Sequence, residues 1–543
     1  MPALLHVENL SVSFTTDERK IQAVREVSFD INKGEIVGIV GESGSGKTVT
    51  GMSLLRLIPS PPGHIESGKV LFKGQDLLEI PIKELCKIRG KDISVIFQEP
   101  MTALSPLHRI GHQLAETLII HEEIDFKQAW EVGIEWLEKV GIPDPKERMK
   151  AYPFQFSGGM QQRVMIAMAL MLNPSLIIAD EPTTALDVTI QAQIFELLLK
   201  LKNHDTSILF ITHDMGVIWE LSDRVLVMKD ARIVEEGTIE DIFHRPEVTY
   251  TQNLLAAVPQ LTDESQKHIH GSQKEKNSGL IRLKNLRTWF PIRHGIWART
   301  VGHVKAVDDV SLSIRKGETF GLVGESGSGK TTLGRTILGL ERAWEGAVYF
   351  KEQNITQITH KNMKPLRRHL QMIFQDPYSS LNPRMTVLDI LTEGLIVHNM
   401  LESPKKDTAA KLLEEVGLQS DHMFRYPHEF SGGQRQRICI ARVMALRPEF
   451  VVCDEAVSAL DVTVQAQIIE ILLQLQEKYN VSYLFISHDL SVVKQITDQV
   501  AVMRNGKVVE EGNTQQVIDD PKHPYTQTLI NAVPLIGGKK KVI

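Results

Sequence analysis

"EIVGIVGESGSGKTVT" occupies residues 35–50, and "TFGLVGESGSGKTTL" occupies residues 319–333. Each stretch begins as a short apolar run, turns through glycines, and continues from its lysine at helical spacing. A buried strand, a glycine turn and a helix, in that order, predict a phosphate-binding loop. The glycines let backbone amides face an anion, and the helix adds its positive end. Gly41, Gly44, Gly46 and Lys47, with Gly324, Gly327, Gly329 and Lys330, are therefore candidates to hold nucleotide phosphates. The hydroxyls of Thr48 and Thr331 are candidate Mg²⁺ ligands.

The turn is one of many passages written twice. "LLHVENLSVSF" (4–14) returns as "LIRLKNLRTWF" (280–290), and "YPFQFSGGMQQR" (152–163) as "YPHEFSGGQRQR" (426–437). "LFITHDMGVIWE" (209–220) returns as "LFISHDLSVVKQ" (484–495), and the ends match as "TYTQNLLAAVP" and "PYTQTLINAVP". The chain is thus expected to hold two copies of one unit, at 1–260 and 280–543, joined by the polar stretch 261–279. His268 and His270 in that stretch read as solvated, because nothing near them completes a metal ligand set. Within each copy, apolar β-branched runs such as "SLIIAD" and "SILFIT" alternate with helical segments. An α/β core with parallel strands follows, with a more helical stretch inserted near 102–150 and 382–425.

Composition narrows the class. The 543 residues carry a net charge of −6, which disfavours a general nucleic-acid binder. Three scattered cysteines, Cys86, Cys439 and Cys453, are too few for a disulfide framework, a zinc site or an iron–sulfur cluster. The N-terminus alternates like a strand rather than a signal peptide, and no window approaches the ~18–20 apolar residues of a membrane span. Membrane work would have to pass through a partner.

Further polar groups sit at strand ends. "LIIADE" and "FVVCDE" place Asp180 and Asp454 where a carboxylate can hold Mg²⁺, and Glu181 and Glu455 where one can polarise an attacking water. His213 and His488 close "FITH" and "FISH", where an imidazole can reach a γ-phosphate. Gln98 and Gln375 in "VIFQEP" and "MIFQDP" can join the metal–water network, which makes them further candidate Mg²⁺ ligands. For any of these alone a structural polar cap is an adequate reading. Their recurrence between the same flanking motifs argues against it.

Together with "SGGMQQR" and "SGGQRQR", these motifs resemble the ATP-binding-cassette ATPases over essentially the whole chain outside 261–279. The resemblance implies two tandem P-loop ATPase domains. Each would have a RecA-like α/β core, an antiparallel β part and an inserted helical subdomain. It also implies ATP and Mg²⁺ as cofactors, with Glu181, Glu455, His213 and His488 catalytic. Ser157, Gly158 and Gly159 match the family's signature in the first copy, and Ser431, Gly432, Gly433 and Gln434 in the second. In the family arrangement two cassettes close head to tail, so each nucleotide lies between one glycine turn and the opposite signature. Asp187 and Asp461 match the short loop that crosses between such sites. Departures are Met160 in place of the signature glutamine, Phe156 and Phe430 in place of leucine, and "AVSALD" after Glu455. None removes a phosphate ligand or a carboxylate. Phe14 is the nearest candidate for an adenine-stacking ring, and the following loop is longer in the second copy.

"FQDPYSSLNPR" (374–384) and "HPYTQTLINAVP" (523–534) resemble the oligopeptide/dipeptide/nickel group of ABC importers. The fused arrangement is similar to that of bacterial peptide, glutathione and microcin C uptake systems. The resemblance implies peripheral attachment to the cytoplasmic face of a bacterial inner membrane through two permease subunits. An extracytoplasmic binding protein would select the solute, and no nucleic acid would be bound. The rival readings are a soluble double cassette acting on ribosomes or nucleic acid, and an exporter ATPase. The short spacer disfavours the first, and the lack of membrane helices the second. The closing "GGKKKVI" reads as a solvated tail.

Overall fold

The computed structural model describes residues 3–15, 20–183, 187–259, 261, 279–294, 299–458, 460–534 and 536–537. The histidines at 268 and 270, most of the polar stretch 261–279 and most of the closing tail lie outside them. Two compact units meet in sequence at Val258 and Pro259, apart from a few residues at 187–189 and at the C-terminal end.

The first unit is built on a six-stranded sheet in the order Arg232–Thr238, Arg224–Lys229, Ile36–Val40, Ser207–Ile211, Leu176–Asp180, Ile93–Ile96. All neighbours pair in parallel except the first two. Ile36–Val40, Leu176–Asp180 and Ser207–Ile211 are buried along their whole length, which is why they read as unbroken apolar runs rather than alternating ones. A second sheet pairs Lys20–Ile31, Leu5–Thr15, Gly63–Phe72 and Gln75–Asp76 antiparallel. A helical layer contains Ile110–His121, Phe126–Lys139 and Gly158–Leu170. Two of its helices approach closely because Gly111 has no side chain; a Cβ there would stand 2.5 Å from the Trp130 ring.

The second unit repeats the plan, with the central order Lys507–Asn513, Gln499–Arg504, Thr319–Val323, Ser482–Ile486, Phe450–Asp454, Leu370–Ile373. Its antiparallel part differs. Where the first unit uses one strand, Lys20–Ile31, the second uses Arg299–Val310 and then Ser313–Arg315. The two cores are also filled differently. Phe450 and Tyr483 are fully buried where the first unit has Leu176 and Ile208, and the Tyr483 hydroxyl donates to the Leu472 carbonyl at 3.0 Å.

One helix is shorter than its spacing suggests. "KTVTGMSLLRLI" predicts helix to residue 58, but the helix ends at Leu54. Arg56 adopts a left-handed backbone at φ 53°, and the Pro59–Pro62 stretch cannot continue a helix. The same helix lies directly on the sheet, since a Cβ at Gly51 would stand 2.6 Å from Ile211 Cδ1. Gly334 does the same against Val452 at 2.9 Å. This contact sets each glycine turn at the carboxyl edge of its parallel strands, where open α/β sheets bind ligands.

No helix among the described residues is long and apolar enough to cross a membrane.

Candidate nucleotide site

Each turn holds a conformation that only glycine takes without strain. Gly46 and Gly329 precede their helices at φ 102° and 104°. A Cβ at Gly46 would stand 2.3 Å from the Ala23 carbonyl oxygen, and one at Gly329 2.0 Å from that of Ala306. Gly41 and Gly324 press equally close to Met228 and Met503, whereas nothing lies within 4 Å of a Cβ at Gly44 or Gly327. The loop is wedged on its protein side and open at its crown. The Lys47 ammonium folds back to donate to the Gly41 and Glu42 carbonyls at 2.8 and 2.9 Å. Lys330 does the same to Gly324 and Glu325 at 2.6 and 3.0 Å. Burial lowers the Lys330 pKa.

Sequence-distant groups converge beside each turn. The Thr48 hydroxyl donates to Asp180 Oδ1 at 2.9 Å, and Thr331 to Asp454 Oδ1 at 2.8 Å. Gln98 Nε2 donates to Glu181 Oε2 at 2.9 Å, and Gln375 Nε2 to Glu455 Oε2 at 2.7 Å. His213 Nδ1 lies 3.1 Å from Glu181 Oε1, and His488 Nδ1 3.6 Å from Glu455 Oε2. Parallel register brings these groups together, because Asp180 pairs with Ile211 two residues before His213, and Asp454 with Ile486 two before His488. Glu181 and Glu455 each leave their strand in a left-handed backbone, at φ 42° and 47°. That conformation is uncommon for a residue with a Cβ and gathers at functional sites.

Burial pushes the Asp180 carboxyl up to about 6, against the pull of the Thr48 bond and aided by the Glu181 charge. Burial likewise raises Asp454. Burial also acts to raise Glu455, but the neighbouring His488 and the Lys330 charge hold it below its ordinary value. His488 is raised in turn: burial opposes its charge, and Glu455 more than offsets that. Glu455 and His488 thus favour each other's charged forms, next to a carboxyl that burial makes reluctant to ionise. A hydroxyl and a carboxyl meet at Asp180 and at Asp454, and an amide side chain is held on the adjoining glutamate. Such hard oxygen donors suit Mg²⁺.

The signature residues sit elsewhere in each unit, at the start of helices in the helical layer. Ser157 caps Gly158–Leu170 by accepting the Met160 amide at 3.4 Å, and Ser431 caps Gly432–Met444 by accepting the Gln434 amide at 3.3 Å. In the second unit Gln434 Oε1 answers by accepting the Ser431 amide at 3.1 Å, a reciprocal box that Met160 cannot form. Gln434→Met is therefore expected to lower the stability of the nucleotide-free protein by about 0.5–1 kcal/mol, read as a fall in thermal midpoint. Gly159 and Gly433 admit the next helix: a Cβ would stand 3.0 Å from Ile190 and 2.4 Å from Val464. Gly158 and Gly432 begin their helices beside the cap.

Sequence reasoning gave Arg163 and Arg437 no role. Both tie the signature helix down, Arg163 to the Val140 carbonyl and Gln193 at 2.8 and 2.9 Å, Arg437 to the Val416 carbonyl and Gln467 at 3.0 and 2.6 Å. It also missed Tyr250 and Tyr525, whose hydroxyls reach the glycine turns. The repeated "YTQ" was the available signal. Phe14 is partly buried, with Gly63 against its ring. In the second unit Phe290 is exposed, and the adjoining Trp289 stacks on Trp344 with centroids 5.8 Å apart.

The chain matches the family model described as ABC transporter over residues 24–184 and 307–458. It also matches that for the oligopeptide/dipeptide transporter C-terminal region over 234–279 and 509–543. It is 51% identical to the peptidoglycan transport ATP-binding protein YejF of Agrobacterium fabrum, over 97% of this chain and 96% of that one. It is 47% identical to the glutathione import ATP-binding protein GsiA of Escherichia coli K12, over 98% of this chain and 90% of that one.

Proposed function

Because this chain belongs to the ABC transporter family, as a fused double-cassette ATPase of the oligopeptide/dipeptide type, we propose that it drives uptake of a peptide-like solute with two Mg·ATP sites. One site uses Lys47, Thr48, Gln98, Asp180, Glu181 and His213 with Ser431–Gln434. The other uses Lys330, Thr331, Gln375, Asp454, Glu455 and His488 with Ser157–Met160. The observation that carries this reading is the doubling of one complete chain of contacts, lysine on loop, threonine on aspartate, glutamine and histidine on glutamate.

On binding, the lysine leaves its loop carbonyls for the β- and γ-phosphate oxygens. Thr48 with Asp180, and Thr331 with Asp454, would hold Mg²⁺, which would neutralise charge on those oxygens. Glu181 and Glu455 accept the proton of the attacking water, and His213 and His488 orient them toward the γ-phosphate. Each signature serine, at a helix N-terminus, offers a second anion-binding face to the nucleotide of the opposite cassette. Closure with ATP and reopening after hydrolysis then form a two-state device whose states differ in γ-phosphate contacts.

The partners are two permease subunits and an extracytoplasmic binding protein, at the cytoplasmic face of a bacterial inner membrane. The segments beyond Gln98 and Gln375 support this docking, because Met101, Leu107 and Tyr378 lie exposed there. A permease helix would cover such apolar groups. Import and the peptide-like solute rest on the named activities of the two relatives. The test is affinity capture of the full chain from detergent-solubilised membranes of its own cells. Two multi-spanning membrane proteins are expected in the captured complex. Recovery on ribosomes, with no membrane protein attached, would reject the reading.

A further inference from the structure

Each unit has a tyrosine about two hundred residues from its glycine turn in sequence that ends against it in space. Tyr250, on helix Thr249–Ala256, accepts the Glu42 backbone amide at 3.2 Å. Tyr525, on Pro524–Asn531, accepts the Glu325 amide at 3.1 Å. Those amides belong to the peptide units 41–42 and 324–325. The carbonyl ends of the same units, Gly41 and Gly324, accept the lysines at 2.8 and 2.6 Å. Phenol and ammonium therefore hold opposite ends of one peptide plane. The plane cannot rotate without breaking one of them.

The tyrosines are themselves held. Glu235 accepts the Glu247 and Val248 amides at 2.7 and 3.3 Å, fixing the turn into the first helix. Glu510 accepts those of Lys522 and His523 at 2.8 and 3.1 Å, fixing the turn into the second. The Lys229 ammonium stands 4.7 Å over the Tyr250 ring, and the Arg504 guanidinium 4.7 Å over Tyr525. Burial pushes the Tyr525 phenol up to about 12, so it stays neutral at physiological pH. Tethers of this kind made twice, across 208 and 200 residues, are not the chance contact of a surface ring.

We propose that Tyr250 and Tyr525 are positioning residues for the phosphate loops, which makes the segment following each cassette a working part of its nucleotide site. When ATP draws the lysine away from the Gly41 or Gly324 carbonyl, the phenol remains as the tie on that peptide plane. The tyrosine thus matters most in the bound state, where it keeps the first amide of the loop turned outward and its neighbours turned toward the phosphates. The proposal rests on the glycine turns being the nucleotide sites.

The test uses the full chain with Tyr250→Phe and Tyr525→Phe combined, which removes two hydroxyls and keeps both rings under their cations. Titration with a fluorescent ATP analogue is expected to show affinity weakened about three- to tenfold, the loss of one neutral hydrogen bond per site. Leu254→Ala with Leu529→Ala serves as the packing control on the same two helices. It is expected to lower the thermal midpoint with affinity retained. Unchanged affinity in the tyrosine variant overturns the proposal, as does a loss that only tracks a fall in midpoint. Lys47→Ala with Lys330→Ala separates the two levels of argument. If the lysine variant loses binding while the tyrosine variant does not, the positioning role alone fails. If neither loses binding, the nucleotide reading of the turns fails, and the positioning role with it.

Discussion

Glu181→Gln combined with Glu455→Gln is expected to lower ATP turnover by about 10²–10⁴-fold, the usual share of a positioned general base. Each single change is expected to remove half of the turnover or more, because each unit brings a glutamine and a histidine onto its glutamate. ATP affinity should persist. Glutamine keeps the shape that meets Gln98 and His213, or Gln375 and His488, at 2.7–3.6 Å, and the loop lysines are held by backbone carbonyls of their own turns. Phosphate release and nucleotide titration on the same preparations measure the two quantities separately. A single variant that turns over at the parental rate would show that its site is idle. A double variant at that rate would remove the glutamates from the chemistry altogether.

Asp180→Asn should do two opposite things. A native pKa of about 6 against an ordinary 3.8 means the folded state binds the proton more tightly than the unfolded one. Stability of the nucleotide-free protein therefore falls as pH rises from about 4 to about 6, and stays reduced above that window. The shift corresponds to at most about 3 kcal/mol of burial penalty at neutral pH. Asparagine keeps an oxygen for the Thr48 hydroxyl and carries no charge. The variant is thus expected to melt higher than the parent at pH 7–8 and to match it near pH 4. It should also lose the extra stabilisation that Mg²⁺ gives in the presence of ATP, since the carboxylate that would hold the cation is gone. A pH series of melting curves, with and without Mg·ATP, tests both halves. An asparagine variant no more stable than the parent at pH 8 would contradict the burial argument. An undiminished response to Mg²⁺ would contradict the ligand assignment.

Both predictions draw on what was contiguous in the sequence. The glycine turn, the apolar runs ending in Asp-Glu and the Ser-Gly-Gly helix starts are local, and each physical demand is met within a dozen residues. Their doubling was legible for the same reason. What escaped was long-range. Nothing in the spacing of "TYTQ" says that a phenol will meet an amide 208 residues earlier. Arg163 and Arg437 reach carbonyls 23 and 21 residues away on other elements, which periodicity does not encode. Met160 was visible as a departure, but its effect, an unanswered cap, needed the geometry of Gln434 for comparison. The early end of the first phosphate-loop helix was hidden because Arg56, a good helix former, takes a left-handed backbone ahead of a run of prolines.

The unlike fillings of two otherwise twin sheets bear on how one polypeptide sorts them during folding. Every central strand has a near double elsewhere in the chain, which invites exchange between halves. Phe450 in place of Leu176 would overfill the first core, a mismatch of about 1–3 kcal/mol. Tyr483 in place of Ile208 would carry its hydroxyl away from the Leu472 carbonyl. Bulk and one buried phenol thus act as a password for each strand, and matching the two sheets residue for residue should yield a chain that assembles into crossed-over, aggregation-prone forms.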